Sequence, residues 1–238
     1  MKKMNKFKKN NIKIFEYSKQ EDWLLDLEPT RLSIPDWWKD SDLWTGGKPI
    51  IHGYGSNKAL KACVPFLDSM LYGYTVKLWT DCMVEFKDNS QVITWMNSPD
   101  PITLRDKNIN SKIPVPTGCS PEHFAWNIPY YFKTPKGYSL IMTHPLNRND
   151  LPFVGLTGLI DSDSTVFPGK FPFFLKKDFE GFIPAGTPIA QIIPFKRNDW
   201  KIKENSKLRL EGDILRNKSF SLVSGFYKKN IHKKKSFE

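Results

Sequence analysis

The sequence predicts a mainly β protein, built as a sandwich or a barrel with one or two inserted helices. Apolar residues alternate with polar ones over several segments, and short extended runs are each bounded by Pro, Gly, Asp or Asn. A chain of 238 residues, 39% of them hydrophobic, can bury a substantial core. No repeat and no Gly/Ser- or Pro-rich linker divides the chain, so we expect one β-rich domain over residues 14–227.

Two helices are predicted in the first third of this domain. Residues 34–39 (Ile-Pro-Asp-Trp-Trp-Lys) favour a short helix, because Pro and Asp suit a first turn. Ser56 to Leu71 favours a second helix capped by Ser56, although Pro65 removes a backbone donor within it. Four tryptophans serve either the core or a partner surface, and core packing is the commoner use. They are Trp23, Trp37, Trp38 and Trp44.

The other elements are predicted strands. The period changes to two from Thr75 to Phe86, which predicts one long strand, and a turn at residues 87–90 leads to its hairpin partner at 91–96. Further strands are expected at 124–128, 138–143, 153–160, 171–175 and 189–195, with a polar loop at 98–120. Residues 213–231 permit a helix. The predicted core residues are Val76, Leu78, Val84, Phe86, Leu140, Leu156, Ile160, Phe173, Ile189 and Ile193.

The net charge of +11 is concentrated at the two ends of the chain. Residues 1–13 carry +6 and residues 228–238 carry +4, which leaves +1 for the domain between them. We therefore predict two basic arms, neither with an apolar face able to join the core. The lysines expected to meet an anionic partner are Lys2, Lys3, Lys6, Lys8, Lys9, Lys228, Lys229, Lys233, Lys234 and Lys235.

Two interpretations of these arms stay open. In the first they are docking tails for nucleic acid, a membrane surface or an acidic protein. In the second they are solvated tails of a protein from an AT-rich genome, in which Lys and Asn codons are favoured. Lysine acts as a point charge, whereas arginine can form two hydrogen bonds to one base. Because the arms are almost all lysine, sequence-specific DNA recognition is not expected.

Several kinds of site are not expected from the sequence. No apolar run is long enough to cross a bilayer, and the Lys/Asn-rich start has no apolar signal segment, so we expect neither a transmembrane segment nor secretion. Cys63, Cys82 and Cys119 form no Cys-x-x-Cys pair, and the four histidines lack metal-ligand spacing. No phosphate loop, dinucleotide fingerprint or nucleophile elbow is present, and we predict no cofactor and no metal.

Polar side chains at the ends of the predicted strands are the candidates for chemistry. A base, an amide and a cation share the loop at residues 144–148, although a lone loop histidine is more often a surface residue than a general base. Two carboxylates follow a strand at 161–163, where they either orient water or form an Asx turn with their own backbone. The catalytic candidates are Asp161, Asp163 and His144, and the ligand-contact candidates are Asn147, Arg148 and Gln191.

Spaced blocks within residues 124–200 resemble an uncharacterised family of bacterial and phage proteins. The blocks are Phe132-x-Thr134-Pro135-x-Gly137-Tyr138, Pro145-x-Asn147, Gly158-x-Ile160-Asp161 and Gly186-Thr187-Pro188-Ile189. This resemblance implies a phage-type protein and no particular activity.

The segment from Gly158 to Asp161 is also similar to the water-orienting aspartate strand of the trimeric dUTPase fold, and residues 189–193 are similar to its following strand. This resemblance implies a dUTPase-like β fold in which Asp161 orients water. The chain departs from the family at three places. Ser164 and Thr165 stand where a tyrosine is expected, residues 145–147 replace the Pro-Arg-Ser phosphate segment, and lysines replace the Gly-rich closing arm.

These features predict a non-enzymatic phage-type structural or accessory protein that works through protein contacts in an assembly. Its arms would anchor an acidic partner or non-specific nucleic acid, and homo-oligomerisation fits the same interpretation. We expect it in the cytoplasm of a microbial host or in a virion. Two alternatives stay open: a nucleotide-binding or nucleotide-hydrolysing protein of dUTPase-like fold, and an inhibitor that binds a host factor through the loop at 98–120.

Overall fold

The computed structural model describes residues 13–52, 55–96, 99–105, 112–166, 169–221 and 226–238. The chain is mainly β, with 35% strand and 18% helix, which confirms the predicted fold class. The strands are β1 (Glu16–Lys19), β2 (Glu28–Pro29), β3 (Ile51–His52), β4 (Gly55–Ser56), β5 (Tyr74–Lys77), β6 (Cys82–Lys87), β7 (Ser90–Trp95), β8 (Ile102–Leu104), β9 (Cys119–Asn127), β10 (Tyr130–Lys133), β11 (Tyr138–Thr143), β12 (Phe153–Gly155), β13 (Gly158–Ile160), β14 (Lys170–Lys176), β15 (Gly181–Ile183) and β16 (Pro188–Lys196). The α-helices are α1 (Asp36–Asp40), α2 (Val64–Leu71) and α3 (Lys207–Ser221).

Two larger sheets dominate the described part of the chain. One has five strands in the order β13-β11-β16-β5-β2, and the other has four in the order β12-β14-β9-β8. A three-stranded sheet, β15-β6-β7, and the pairs β1-β10 and β3-β4 complete the arrangement, and the strand pairs of these sheets are antiparallel. Over the described residues no sheet closes into a barrel.

A single hydrophobic cluster joins the five-, four- and three-stranded sheets. Trp126 of β9 is fully buried and stacks on Phe173 of β14, with ring centroids 4.1 Å apart. Leu140 of β11, Val76 of β5 and Val84 of β6 are buried in the same cluster. Because successive side chains of a strand point to opposite faces, each sheet contributes its inward row to this shared core.

The single strand predicted from Thr75 to Phe86 is two strands in different sheets. β5 ends at Lys77 and β6 begins at Cys82. Between them the backbone N–H of Leu78 donates to the Thr187 carbonyl at 2.8 Å, where the chain crosses from one sheet to the other. Leu78 stays fully buried, so the alternation of apolar residues continues through the crossing and hides it.

The predicted strand at 153–160 is likewise divided, because β12 pairs with β14 whereas β13 pairs with β11. Three predicted core residues are only half-buried: Leu156, Ile160 and Ile193. Phe86, another predicted core residue, is 44% exposed. The reason is that the pairing of β15 with β6 stops at Val84, so the outer end of β6 is left uncovered.

The helix expected from Ser56 begins at Val64 instead. Pro65 lies in the first turn of α2, where its missing N–H would have had no helical partner, so it marks the start of the helix and not its middle. Residues 60–62 form a separate 3-10 turn, and Ser56 belongs to β4. The short helix expected at residues 34–39 is confirmed as α1.

Only one of the four early tryptophans is fully in the core. Trp38 is 6% exposed and stacks on Phe66 of α2 at 5.5 Å, whereas Trp23 and Trp37 are exposed and Trp44 is half-buried. At the other end of the chain, the range 213–231, in which the sequence permitted a helix, includes the last part of α3 and a π-helical turn at Tyr227–Ile231, and its residues 222–225 lie outside the described residues. Among the described residues no helix is long and apolar enough to span a membrane.

Candidate functional site

Both ring nitrogens of His144 bond to the protein's own backbone. Nδ1 accepts the Gly155 N–H at 3.3 Å, so Nε2 carries the proton and donates to the Arg148 carbonyl at 3.1 Å. The ring also packs edge-on against Phe153, and burial lowers the pKa of His144. The neutral His144 side chain therefore connects its own loop to β12 through hydrogen bonds.

Gln191 fastens the same loop to α2. Its side chain is 1% exposed; Oε1 accepts the Leu146 N–H at 2.8 Å, and Nε2 donates to the carbonyls of Ser69 and Tyr72. Asn147 adopts a φ of 62° and donates to the Ser69 hydroxyl at 2.6 Å. These two ligand-contact candidates thus hold the loop against the C-terminal end of α2.

Arg148 is paired with a neighbouring carboxylate in its own loop. Its Nε and Nη2 donate to the two oxygens of Asp150 at 2.9 and 2.8 Å. Burial opposes ionisation of Asp150, but the bonds from Arg148 outweigh it and lower the pKa of that carboxyl. Arg148, which the sequence suggested as a ligand contact, is therefore already paired with a carboxylate of its own loop.

Asp161 and Asp163 are bridged by Arg197, which lies directly after β16. Nη1 of Arg197 is 2.9 Å from Asp163 and 3.2 Å from Asp161, and Nη2 bonds to Asp163 as well. The Gly137 N–H donates to Asp163 at 2.8 Å, and the Ser139 hydroxyl donates to Asp161 at 2.7 Å. The Arg197 guanidinium and then the Gly137 amide lower the pKa of Asp163 to about 2. The carboxylates form an ion-paired clasp, which we call the Arg197 clasp.

The Arg197 clasp leads to a prediction about acid stability. The folded-state pKa of Asp163 is about 2, below the value of about 3.9 for an unfolded aspartate. Its stabilisation is therefore complete above about pH 4 and is lost as the pH falls toward 2. We expect Asp163→Asn to lower the melting temperature near neutral pH, by an amount that shrinks over this acid range in thermal scans followed by circular dichroism.

The matched control is Asp161→Asn, because that side chain is 71% exposed and meets the same guanidinium through one oxygen only. We expect a smaller loss of melting temperature from this variant. A difference between parent and Asp163→Asn that stays constant with pH would contradict the ion-pair account.

The C-terminal basic segment is docked against α2. Asp68 of α2 accepts hydrogen bonds from His232 at 3.1 Å and from Lys235. Burial opposes ionisation of Asp68, but these bonds outweigh it and lower the pKa of that carboxyl. Phe237 packs edge-on against Tyr72, with ring centroids 4.5 Å apart, and reaches Tyr74 at 5.7 Å. The sequence predicted a C-terminal arm with no apolar face, whereas this segment packs an aromatic side chain against the domain.

A cleft of about 690 Å³ opens between α2 and the docked segment, and we call it the cationic cleft. Its floor is one face of α2, where apolar residues and Asp68 recur at helical spacing. The floor residues are Val64, Leu67, Asp68 and Leu71, and the aromatic residues of its walls are Trp44, Tyr72, Phe226, Tyr227 and Phe237.

Positive charge greatly exceeds negative charge in the cationic cleft. Its lysine and arginine residues are Arg31, Lys58, Lys61, Lys228, Lys234 and Lys235. Asp68 is the one carboxylate among the described residues that line the cleft, so these residues sum to a formal charge of +5 when histidine is counted as uncharged. Because the domain between the two ends carries only +1, the cleft is a local concentration of positive potential.

The cleft cations differ in what they already contact. Lys61 donates to two backbone carbonyls, and the Lys58 ammonium lies 5.8 Å from the centre of the Trp44 ring. Lys228 and Lys234 have no hydrogen bond or ion pair to any of the described residues. These lysines are available to an anionic ligand.

The predicted anion-binding lysines are distributed unevenly around the cleft. Three of them line it (Lys228, Lys234 and Lys235), Lys229 and Lys233 are exposed outside it, and Lys2, Lys3, Lys6, Lys8 and Lys9 lie outside the described residues. Sequence reasoning missed Arg31, Lys58 and Lys61, which line the cleft from the folded domain. They lie in no charge run, so no local pattern could have identified them.

The chain matches no protein-family model and no curated protein. Among the described residues, no three His, Cys, Asp or Glu side chains are grouped so that they could hold a metal ion. The cationic cleft, with its six lysine and arginine residues among the described lining residues, is the feature on which we base a function.

Proposed function

We propose that this protein is a non-enzymatic accessory or structural protein that binds an anionic partner in the cationic cleft. The observation that carries the proposal is the cleft itself, in which six lysine and arginine side chains surround one carboxylate that is already ion-paired. The basic C-terminal segment supplies half of these cations and the folded domain supplies the other half.

The contacts of the catalytic candidates favour binding over catalysis. A general base needs a lone pair directed at substrate, whereas His144 bonds through both ring nitrogens to backbone groups. Asp163 is held ionised by Arg197 with a pKa of about 2, far below the operating range of a base at neutral pH. Neither group lines the cationic cleft.

The apolar floor of the cleft strengthens its charges. Val64, Leu67 and Leu71 line the same cleft as the lysines, and an ion pair in such surroundings is less screened by water than one on an open surface. A partner with two or more negative charges gains from several lysines at once. A partner with an apolar group beside its charges also gains from the floor.

The test is to neutralise Lys228 and Lys234, which have no partner among the described residues, together with Lys58, whose ammonium lies over the Trp44 ring. We expect Lys58→Gln, Lys228→Gln and Lys234→Gln together to weaken binding of an anion about tenfold, from roughly 0.5 kcal/mol for each lost charge contact. Calorimetric titration of the full chain with tripolyphosphate, oligothymidylate and hexa-aspartate, at about 50 mM salt, measures the loss. We expect at least one of these probes to bind the parent protein.

The matched control carries the same loss of charge elsewhere. Lys177, Lys201 and Lys203 are exposed and do not line the cleft, so their triple change to Gln should leave the affinity within about twofold of the parent. Equal weakening in both triple variants would show that net charge and not the cleft governs binding. That result, or a parent protein that binds none of the probes, would remove the support for the proposal.

A further inference from the structure

The volume of the cationic cleft limits what it can enclose. At about 690 Å³ it falls in the range of pockets that hold a small molecule, which is roughly 300–1,000 Å³. Such a space is too small for a nucleic-acid duplex or a folded domain, and it fits one compact group of a larger ligand or a whole small one. The part of the anion that enters the cleft is therefore one compact group, such as a small molecule or the end of a chain.

The cations of the cleft are of a kind that suits phosphate. Five of the six lining cations are lysines, and Arg31 is the one arginine among them. The lysine ammonium is a common phosphate ligand, which it meets as a point charge, whereas arginine pairs through two parallel N–H donors with carboxylate and phosphate alike. Lys58 belongs to the folded domain, whereas Lys228 and Lys234 belong to the C-terminal segment, so separate parts of the chain offer ammonium groups to different oxygens of a phosphate chain.

The aromatic side chains favour a flat ring beside the phosphate. The rings of Tyr72 and Phe237 already pack against each other, with their centroids 4.5 Å apart, and form part of the wall of the cleft. Trp44 and Tyr227 also line the cleft, and Tyr227 is 40% exposed. A nucleobase can stack on such a face whatever its sequence, because every base has a π surface. The Lys58 ammonium lies over the Trp44 ring, 5.8 Å from its centre, so one ligand can reach both the aromatic surface and the cation that would bind its phosphate.

We infer that the cationic cleft binds a nucleotide, with its base against the Trp44 wall and its phosphates among Lys58, Lys228 and Lys234. The inference rests on the proposed function, because it specifies the chemistry of the anionic partner. It assigns nucleotide recognition to the cleft and not to Asp161, which lies in the separate Arg197 clasp. A free nucleotide and the phosphorylated end of a single strand share this chemistry.

The experiment separates the base from the phosphates. ATP, tripolyphosphate and hexa-aspartate are titrated calorimetrically into the full chain and into the Trp44→Ala variant. We expect ATP to bind most tightly of the three and Trp44→Ala to weaken ATP about tenfold, within the range measured for loss of a stacking aromatic. Tripolyphosphate should bind both proteins equally, since it has no ring. Trp44→Phe keeps a ring face and should retain most of the ATP affinity.

One control tests whether the loss of ATP affinity is specific to Trp44, and a second experiment distinguishes a free nucleotide from the end of a strand. Trp23→Ala removes a tryptophan that is 54% exposed and does not line the cleft, so ATP affinity should be unchanged. A 5′-phosphorylated pentathymidylate that binds at least tenfold tighter than thymidine triphosphate would identify the ligand as a strand end. Similar or weaker binding of the oligonucleotide would identify it as a free nucleotide.

The other outcomes overturn the inference in distinguishable ways. If hexa-aspartate binds as tightly as ATP, or if Trp44→Ala leaves ATP affinity unchanged, the ligand is not a nucleotide held through its base, although an anion-binding cleft stands. If Lys58→Gln, Lys228→Gln and Lys234→Gln together weaken no probe, the proposed function fails as well.

Discussion

Replacing Trp126 with alanine should destabilise the protein by about 3–5 kcal/mol, the range for truncating a buried aromatic side chain. Trp126 has no exposed surface; it stacks on Phe173 at 4.1 Å and meets Phe153 edge-on at 5.2 Å. Its removal leaves a cavity at the centre of the shared core, where the sheets cannot close around it without losing register. Urea unfolding followed by fluorescence or circular dichroism measures the change.

The control for this variant is Trp200→Ala, because Trp200 is 89% exposed. We expect its unfolding free energy to stay within about 0.5 kcal/mol of the parent. Trp126→Phe should lose less unfolding free energy than Trp126→Ala. It can still be compared with the parent if the alanine variant does not fold. A Trp126→Ala protein within about 1 kcal/mol of the parent would mean that the three sheets do not share this core.

Gly73→Ala should destabilise the protein by several kcal/mol, roughly 3–5, through two effects in one residue. Gly73 has a φ of 81°, which an L side chain rarely adopts, and an added Cβ would lie 2.2 Å from the Ile192 carbonyl oxygen of β16. That oxygen is backbone, so relief requires β16 to move away from the turn between α2 and β5.

Gly186→Ala is the matched control, since Gly186 has a φ of 86° and a Cβ added there would have nothing within 4 Å. It should cost only the left-handed backbone strain, about 1–2 kcal/mol. The difference in unfolding free energy between the two variants isolates the clash at Ile192. Equal losses would contradict the close approach of β16 to Gly73.

The Gly73 substitution should also weaken binding in the cationic cleft. Tyr72 lines the cleft and its carbonyl accepts a hydrogen bond from Gln191, so a shift of this turn disturbs both α2 and the cleft wall. We expect nucleotide affinity to fall in Gly73→Ala and to stay near the parent in Gly186→Ala. Titration at a temperature where both variants are folded makes this comparison.

Local patterns in the sequence were enough to predict much of the β architecture. The predicted strand at 138–143 coincides with β11, and the predicted hairpin turn has Asp88 and Asn89 at φ values of 51° and 60°. Alternation and turn chemistry act over a few neighbouring residues, so a sequence displays them directly. The same signals could not show that Leu78 lies at a crossing between sheets, because its burial continues the period on both sides.

The candidate site depended on contacts that join distant parts of the chain. The mainly β class and the concentration of lysines near the C-terminus could be read from the amino acids in order. Only the folded protein shows that Lys235 and His232 contact Asp68, from which they are separated by 167 and 164 positions in the sequence. It also shows that these residues line one cleft together with Lys58. Hydrophobic periodicity reports which side of an element faces the core, whereas a binding site depends on which outer faces meet, and that is set by how the elements pack.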